Sequence, residues 1–521
     1  MSQMNIRILI KTAGLLPAVL VAALLLALPA HAATPGILGP SFTLSAEANF
    51  ISQPDGSMVY SWGYGCLNGA PPSGGFLPAA IAGAACPSMQ IPGPTLIVHV
   101  GDTVTVILTN NLPAAAGNTS ILFPGFQVNT SGTGVPGLLT REAVHGGTVT
   151  YTFTASTPGT RSYYSGTQGD LQVEMGLYGA IVVLPNNVPA GCRGVGATLP
   201  AGQTDFRLAA SAYAHSATCY DREYLFQFSE MDPVIHRQAE EQATKVCPPS
   251  TTAGCMDIRT ENYHPAYYMI NGRSMPDDMD SNYAVQYPHQ PYNGNPHMHS
   301  GELVLLRIIG QGRWQHPFHE HGNHVRILAR DGNLILSQTD STKLAGPLLF
   351  TTTTTPGQAM DGIFYWTGKG LNWDVYGHGY PGDTSVCIPD ANGYYTAVPT
   401  APNYFEWCAD HNKPLEAHPY GQVGSGGAIT LPDSNILANG PWYGGSPYLG
   451  PFTATGSNRA VGPTPIPPSG TVANDPSSEA GFAFMWHSHN EREITTNNIF
   501  PGGMLMMMLV DPQVFVIDEA L

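Results

Sequence analysis

Two histidine-bearing segments carry the residue types and spacing best suited to chemistry: His316-Pro317-Phe318-His319-Glu320-His321-Gly322 and Trp486-His487-Ser488-His489. Each holds a His-x-His pair, and in an extended strand residues two apart point to the same face. Paired imidazoles presented in this way suit Cu(II) or Zn(II), with affinity favouring copper where both are present. His319, His321, His487 and His489 are therefore candidate metal ligands, and His316 is a fifth. With Glu493 and Met504, His316 could form a second, harder site; a buried His316–Glu493 hydrogen bond is the competing reading. For the four paired histidines the alternative is hydrogen bonding to one another, to Glu320 or to Glu491 at a domain interface.

The two segments resemble the C-terminal ligand motifs of multicopper oxidases, HPxHxHG and HCHxxxHxxxxM, which supply imidazoles, a thiolate and a methionine to copper. In this sequence Ser488 stands where the motif has cysteine and Glu493 where it has a further histidine, which leaves His316 and Met504 as the matches to a blue-copper site. A blue centre depends on a soft thiolate, and a serine hydroxyl is a hard oxygen, so no blue copper site is expected. The family's trinuclear cluster takes eight imidazoles, four from each end of the fold. In the first half of the chain the matching positions fall on Ser120 to Gly125, with Leu122 and Pro124 in place of imidazoles, and on Tyr164-Ser165-Gly166. Four of eight ligands remain. By resemblance the cofactor is copper, but four-electron oxygen reduction of the laccase kind has no evident route.

Other chemistry lacks a handle. There is no GxSxG, no HExxH and no phosphate-cradling glycine loop. His297-Met298-His299 also has His-x-His spacing, but it lies in a Pro/Asn-rich stretch that reads as a solvent-facing loop. The methionines from Met504 to Met508 alternate with the strand period and read as core packing. Glu230, Asp232 and Glu302 show no pairing and read as solvated loop residues.

The elements that must position these residues are strands. With 59 glycines and 46 prolines among 521 residues, the chain suits many short strands separated by turns. Thr95–His99 and Thr103–Thr109, joined across Gly101-Asp102, read as a half-buried hairpin, and Gly147–Thr154 alternates in the same way. A helix is indicated only near Pro233 to Lys245. An internal repeat organises the strands: Val100–Thr109 is echoed by Ser300–Ile309, Thr160–Gly166 by Phe482–His489, and Gly176–Val183 by Gly502–Leu509. The fold class is thus all-β, with two cupredoxin (plastocyanin-like) Greek-key sandwiches. They span residues 36–185 and 203–515 on either side of a Pro/Asn/Gly-rich linker from Pro185 to Gly202. A long Gly/Pro/aromatic insertion at about 372–480 separates the second domain's two ligand motifs.

Residues 1–32 read as a secretory signal peptide: Arg7 and Lys11, an apolar run from Ala13 to Leu28, then Ala30-His31-Ala32. The expected location is periplasmic or secreted, with no membrane span. Eight cysteines, Cys66, Cys86, Cys192, Cys219, Cys247, Cys255, Cys387 and Cys408, suit an oxidising compartment. Consecutive pairing would close four short loops, although the connectivity stays open. A formal charge of −17 argues against nucleic acid and anionic membranes as partners. By resemblance alone a homo-oligomer is implied, because two-domain family members often assemble as trimers; the substrate, a small molecule or metal ion, is unknown. Two functions lead: a copper-binding protein using a partial histidine cluster, or a structural or interaction module without metal; a third, an oxidase with two-electron chemistry at a coupled copper pair, needs six imidazoles and ranks last.

Overall fold

The computed structural model describes residues 33–369, 388–409, 445–448 and 481–519, apart from scattered positions within those spans. The expected signal peptide, residues 1–32, and most of the 372–480 insertion lie outside the described residues. The rest forms two Greek-key β-sandwiches of cupredoxin type.

In the first sandwich, one sheet runs in the order Gly159–Tyr164, Tyr178–Leu184, Leu96–His99, Gly36–Leu38, Phe76–Leu77. The facing sheet runs Met58–Cys66, Ser41–Ser52, Thr103–Asn110, Thr148–Thr154, Asn129–Gly132. Trp62, Tyr64, Phe123, Tyr151, Phe153 and Tyr163 fill the space between them. The second sandwich repeats this plan. One sheet is built on Arg222–Met231, Leu303–Gly310, Ala359–Tyr365 and Val325–Arg330. The other runs His297–His299, Leu505–Asp511, Gly481–Ser488, His316–Glu320, Thr351–Thr354.

The sequence repeat occupies matching topological places. Thr103–Asn110 lies parallel to Ser41–Ser52 and antiparallel to Thr148–Thr154, while Leu303–Gly310 lies parallel to Arg222–Met231 and antiparallel to Ala359–Tyr365. Likewise Gly159–Tyr164 pairs with Tyr178–Leu184 as Gly481–Ser488 pairs with Leu505–Asp511.

The expected hairpin across Gly101 does not form. Leu96–His99 belongs to one sheet and Thr103–Asn110 to the other, and the chain turns the corner at Gly101 with φ +92°. Leu96, Ile97 and Val98 are all fully buried, because parallel neighbours flank them on both sides. Only Thr103–Asn110 has the half-buried alternation that suggested a hairpin. The helix is present as Pro233–Gln242. Asp232 caps it, accepting from the Val234 amide at 2.8 Å, with proline in the first turn where its missing N–H costs nothing.

Three disulfides, Cys66–Cys86, Cys192–Cys219 and Cys247–Cys255, join neighbouring cysteines. Cys408 is also disulfide-bonded; Cys387 lies outside the described residues. The sandwiches meet through buried polar bonds. Thr160 of the first donates from Oγ1 to Asp361 of the second at 2.6 Å and accepts from Arg307 at 3.0 Å, and Ser162 donates to Gln311 at 2.9 Å.

Candidate metal centre

Strand register brings the two His-x-His segments together. His316–Glu320 pairs antiparallel with Gly481–Ser488, setting His319 directly opposite His487, and with Thr351–Thr354, setting His319 opposite Thr351. Phe318 and Trp486 point into the apolar core of the second sandwich. The alternate residues His319 and His487 therefore share the other face, as the two-residue period requires. Gly322 follows His321 at φ +104°, where a side chain would meet the Phe484 ring at 3.0 Å, so the chain can leave the strand tightly after the second histidine. The Trp486 indole donates to the His321 carbonyl at 2.9 Å and anchors that turn.

All four imidazoles form one cluster. His319 lies 4.9 Å from His321, 5.7 Å from His487 and 4.8 Å from His489 between ring centroids. His321 lies 5.1 Å from His487, and His487 lies 5.7 Å from His489. His319, His321 and His487 are buried and His489 is exposed. His487 donates from Nδ1 to the Ser488 carbonyl at 2.7 Å, which leaves its Nε2 with a lone pair, 3.2 Å from His321 Nε2. That separation suits an N–H···N hydrogen bond, and equally two imidazoles sharing one ion at about 2.0 Å each. His319 Nδ1 meets the Thr351 hydroxyl at 2.7 Å. Burial, followed by the neighbouring charges of His321, His489 and His487, pushes His319 down to about 4. Burial is also the main cause that lowers His487. His319 and His487 are thus held neutral near pH 7, the state in which imidazole binds metal.

Among the described residues no three or more His, Cys, Asp or Glu side chains are gathered so as to hold a metal ion. The His321/His487 pair presents two imidazole nitrogens at a spacing that one copper ion would span, with the His319 and His489 rings beside it. The donor set does not fit the family's full copper complement. Ser120 bonds to Thr167 at 2.8 Å, and Leu122 and Tyr164 exchange backbone hydrogen bonds, so these first-sandwich positions carry packing and hydroxyl contacts.

His316 stands apart from the four. It is fully buried, with Nδ1 2.9 Å from Glu493 and Nε2 2.9 Å from Glu230. Burial would push it down, but the hydrogen bonds and charges of the two carboxylates outweigh burial and raise it to about 9. Ser488 donates its hydroxyl to the same Glu493 oxygen at 2.5 Å. A proton-bearing imidazole between two carboxylates thus fills the place where the motif resemblance would put a blue copper ion. Glu493 had been visible as a partner for His316. Glu230 had not, because it arrives from another sheet and nothing in its sequence surroundings marks it.

Several other expectations are corrected. Glu230, Asp232 and Glu302 are not solvated: Glu230 also accepts from the Arg313 and Trp314 amides at 2.7 and 2.9 Å, Asp232 is the helix cap, and Glu302 pairs with Arg222 at 2.6 Å. His297 and His299 lie not in an exposed loop but in a buried strand, His297 2.6 Å from Asp511 and His299 3.1 Å from Glu302. The strand pairs parallel with Leu505–Asp511, a long-range partnership that a Pro/Asn-rich sequence hides. Glu320 bonds to none of the four histidines. It points into the core and accepts from Thr352 at 2.8 Å, and burial raises its carboxyl well above the usual range. Met504, Met506 and Met508 are core residues as expected; Met507 faces the other way.

Comparison with known proteins gives matches over part of the chain. A multicopper oxidase family profile matches residues 85–188. This chain is 36% identical over 103 residues to multicopper oxidase MCE of Talaromyces pinophilus, covering 19% of its own length and 16% of that protein. It is 36% identical over 113 residues to copper resistance protein A of Pseudomonas syringae pv. tomato, covering 21% and 18%. The chain thus spans less than a fifth of the length of these relatives. Among solved structures, the blue copper oxidase from Nitrosomonas europaea aligns over 90% of this chain and 85% of its own, at 16% identity and a TM-score of 0.42. Residues 85–188 thus match the multicopper oxidase family, and the described residues fold as cupredoxin-type sandwiches.

Proposed function

We propose that this protein is an exported copper-binding member of the family, which holds copper through His319, His321, His487 and His489 and does not work as a laccase. The observation that carries this is the clustering of four imidazoles on one sheet face, with the His321 and His487 Nε2 atoms 3.2 Å apart. When bound, copper would supply one-electron redox and Lewis-acid chemistry. The chain's own contribution is to fix ligand tautomers and orientation. The Ser488 carbonyl holds the His487 proton on Nδ1, Thr351 steadies His319, and Trp486 anchors the His321 backbone.

The same reading leaves out a thiolate-gated electron path. Ser488 is engaged with Glu493 and Glu493 with His316, and a hydroxyl cannot replace the soft sulfur that a blue centre uses. Export to the periplasm or beyond is supported by the leader-like first residues and by disulfides, which persist in oxidising compartments. The test is metal content after reconstitution with Cu(II) and removal of excess. The reading expects retained copper in the wild type and its loss in His319→Ala/His487→Ala. Copper near zero in the wild type, or unchanged in the double variant, would leave a metal-free structural module as the better description.

A further inference from the structure

The face of the sheet that carries the histidine cluster also carries sulfur. Gly481–Ser488 and Leu505–Asp511 pair so that Met485 is directly opposite Met507. Because His319 is opposite His487, the same register carried past the end of His316–Glu320 sets His321 beside Met485. Two rows therefore cross the sheet on one face. One reads Thr351, His319, His487, Leu505; the next reads His321, Met485, Met507.

Burial separates these methionines from the packing ones. Met504, Met506 and Met508 have no exposed surface and fill the core between the sheets. Met485 and Met507 are only partly buried, and Met507 packs against Ala483 and Leu509 as well as against the edge of that core. Directly opposed residues of an antiparallel pair hold their Cβ atoms about 5 Å apart, within reach of two thioethers that meet at one ion. Thioether sulfur is a soft ligand without charge and selects monovalent copper over divalent copper and zinc. Imidazole accepts either oxidation state.

We propose that Met485, Met507 and His321 form a Cu(I) site adjoining the histidine cluster, with His321 shared between the two. This rests on the copper-binding reading and names the cargo as copper arriving in its reduced state. An ion held by two thioethers and His321 lies one sheet row from His319 and His487, so transfer into the imidazole cluster needs only exchange of ligands around His321.

The test uses the full chain loaded anaerobically with Cu(I), in competition with bicinchoninate, and X-ray absorption of the loaded protein. The wild type should show a sulfur shell around copper. In Met485→Leu/Met507→Leu, a volume-conserving change, that shell should vanish and Cu(I) affinity should fall by at least the roughly 10–100-fold that loss of an outer partner costs a metal site. Cu(II) retention should persist in this variant, and an unchanged thermal midpoint shows that it folds. A wild type without a sulfur shell, or a variant with wild-type Cu(I) affinity, overturns the proposal. A wild type that retains no Cu(II) but shows a methionine-dependent Cu(I) sulfur shell retains the thioether site and removes the four-histidine reading.

Discussion

Replacing His316 by glutamine should destabilise the second sandwich strongly and change how its stability depends on pH. In the wild type His316 bridges Glu230 and Glu493 at 2.9 Å on each side with no exposed surface. Removing one partner of a buried ion pair costs roughly 3–5 kcal/mol, because the remaining charge keeps its desolvation penalty. Linkage gives a second estimate. A histidine raised from an unfolded value of 6.5 to about 9 contributes about 3 kcal/mol at 1.36 kcal/mol per unit. The native state binds this proton more tightly than the unfolded chain, so the contribution is complete below pH 6.5 and is lost as pH rises through 9. At about 2–4 °C per kcal/mol for a domain of this size, the transition of the second sandwich should fall by roughly 6–12 °C at pH 6. The assay is thermal unfolding of metal-free wild type and His316→Gln between pH 5 and 10, read as the difference between their midpoints. The difference should be largest at pH 6 and shrink steadily toward pH 9.5. Midpoints within 1 °C of each other at pH 6, or a difference that does not change between pH 6.5 and 9, would refute the clamp.

Three further outcomes are expected. Glu320→Leu should raise the stability of the second sandwich by about 1 kcal/mol at neutral pH, because a buried carboxyl with a single hydrogen bond costs more than a leucine there; since burial raises its folded value, the gain should grow as pH rises above 4.5, and denaturant unfolding at pH 4.5 and 8 checks the sign. His319, lowered from 6.5 to about 4 by burial and its neighbours, resists protonation in the native state, so metal-free protein should lose stability as pH falls from 6.5 to 4, and His319→Gln should flatten that slope in acid unfolding curves. Cys192→Ser/Cys219→Ser, which opens a loop with a sequence separation of 27, should cost about 3.5 kcal/mol on the chain-entropy scale, measured by denaturant midpoints under non-reducing conditions.

How much was legible in the sequence depended on whether a feature was local. The His-x-His pairs could be placed on one strand face each from spacing alone, and the fold class followed from alternating strands and the internal repeat. The helix near Pro233 was local as well, although Asp232 had been read as a solvated residue and not as its cap. What could not be read was pairing across long separations. Glu230 reaches His316 from another sheet, Asp511 reaches His297 along a parallel edge, and Met485 meets Met507 only once register is known. The hairpin error at Gly101 has the same origin: both segments are apolar and β-branched, and only their neighbours decide that they enter different sheets. The convergence of all four imidazoles also needed the register of His319 against His487.

The most direct test of copper held by imidazoles without a blue centre is the combined electron paramagnetic resonance and visible spectrum of Cu(II)-loaded, freshly purified protein. The account predicts a normal type 2 copper signal with nitrogen hyperfine structure and no intense blue band. An intense blue absorption, or no copper signal at all from a protein given excess Cu(II), would contradict it.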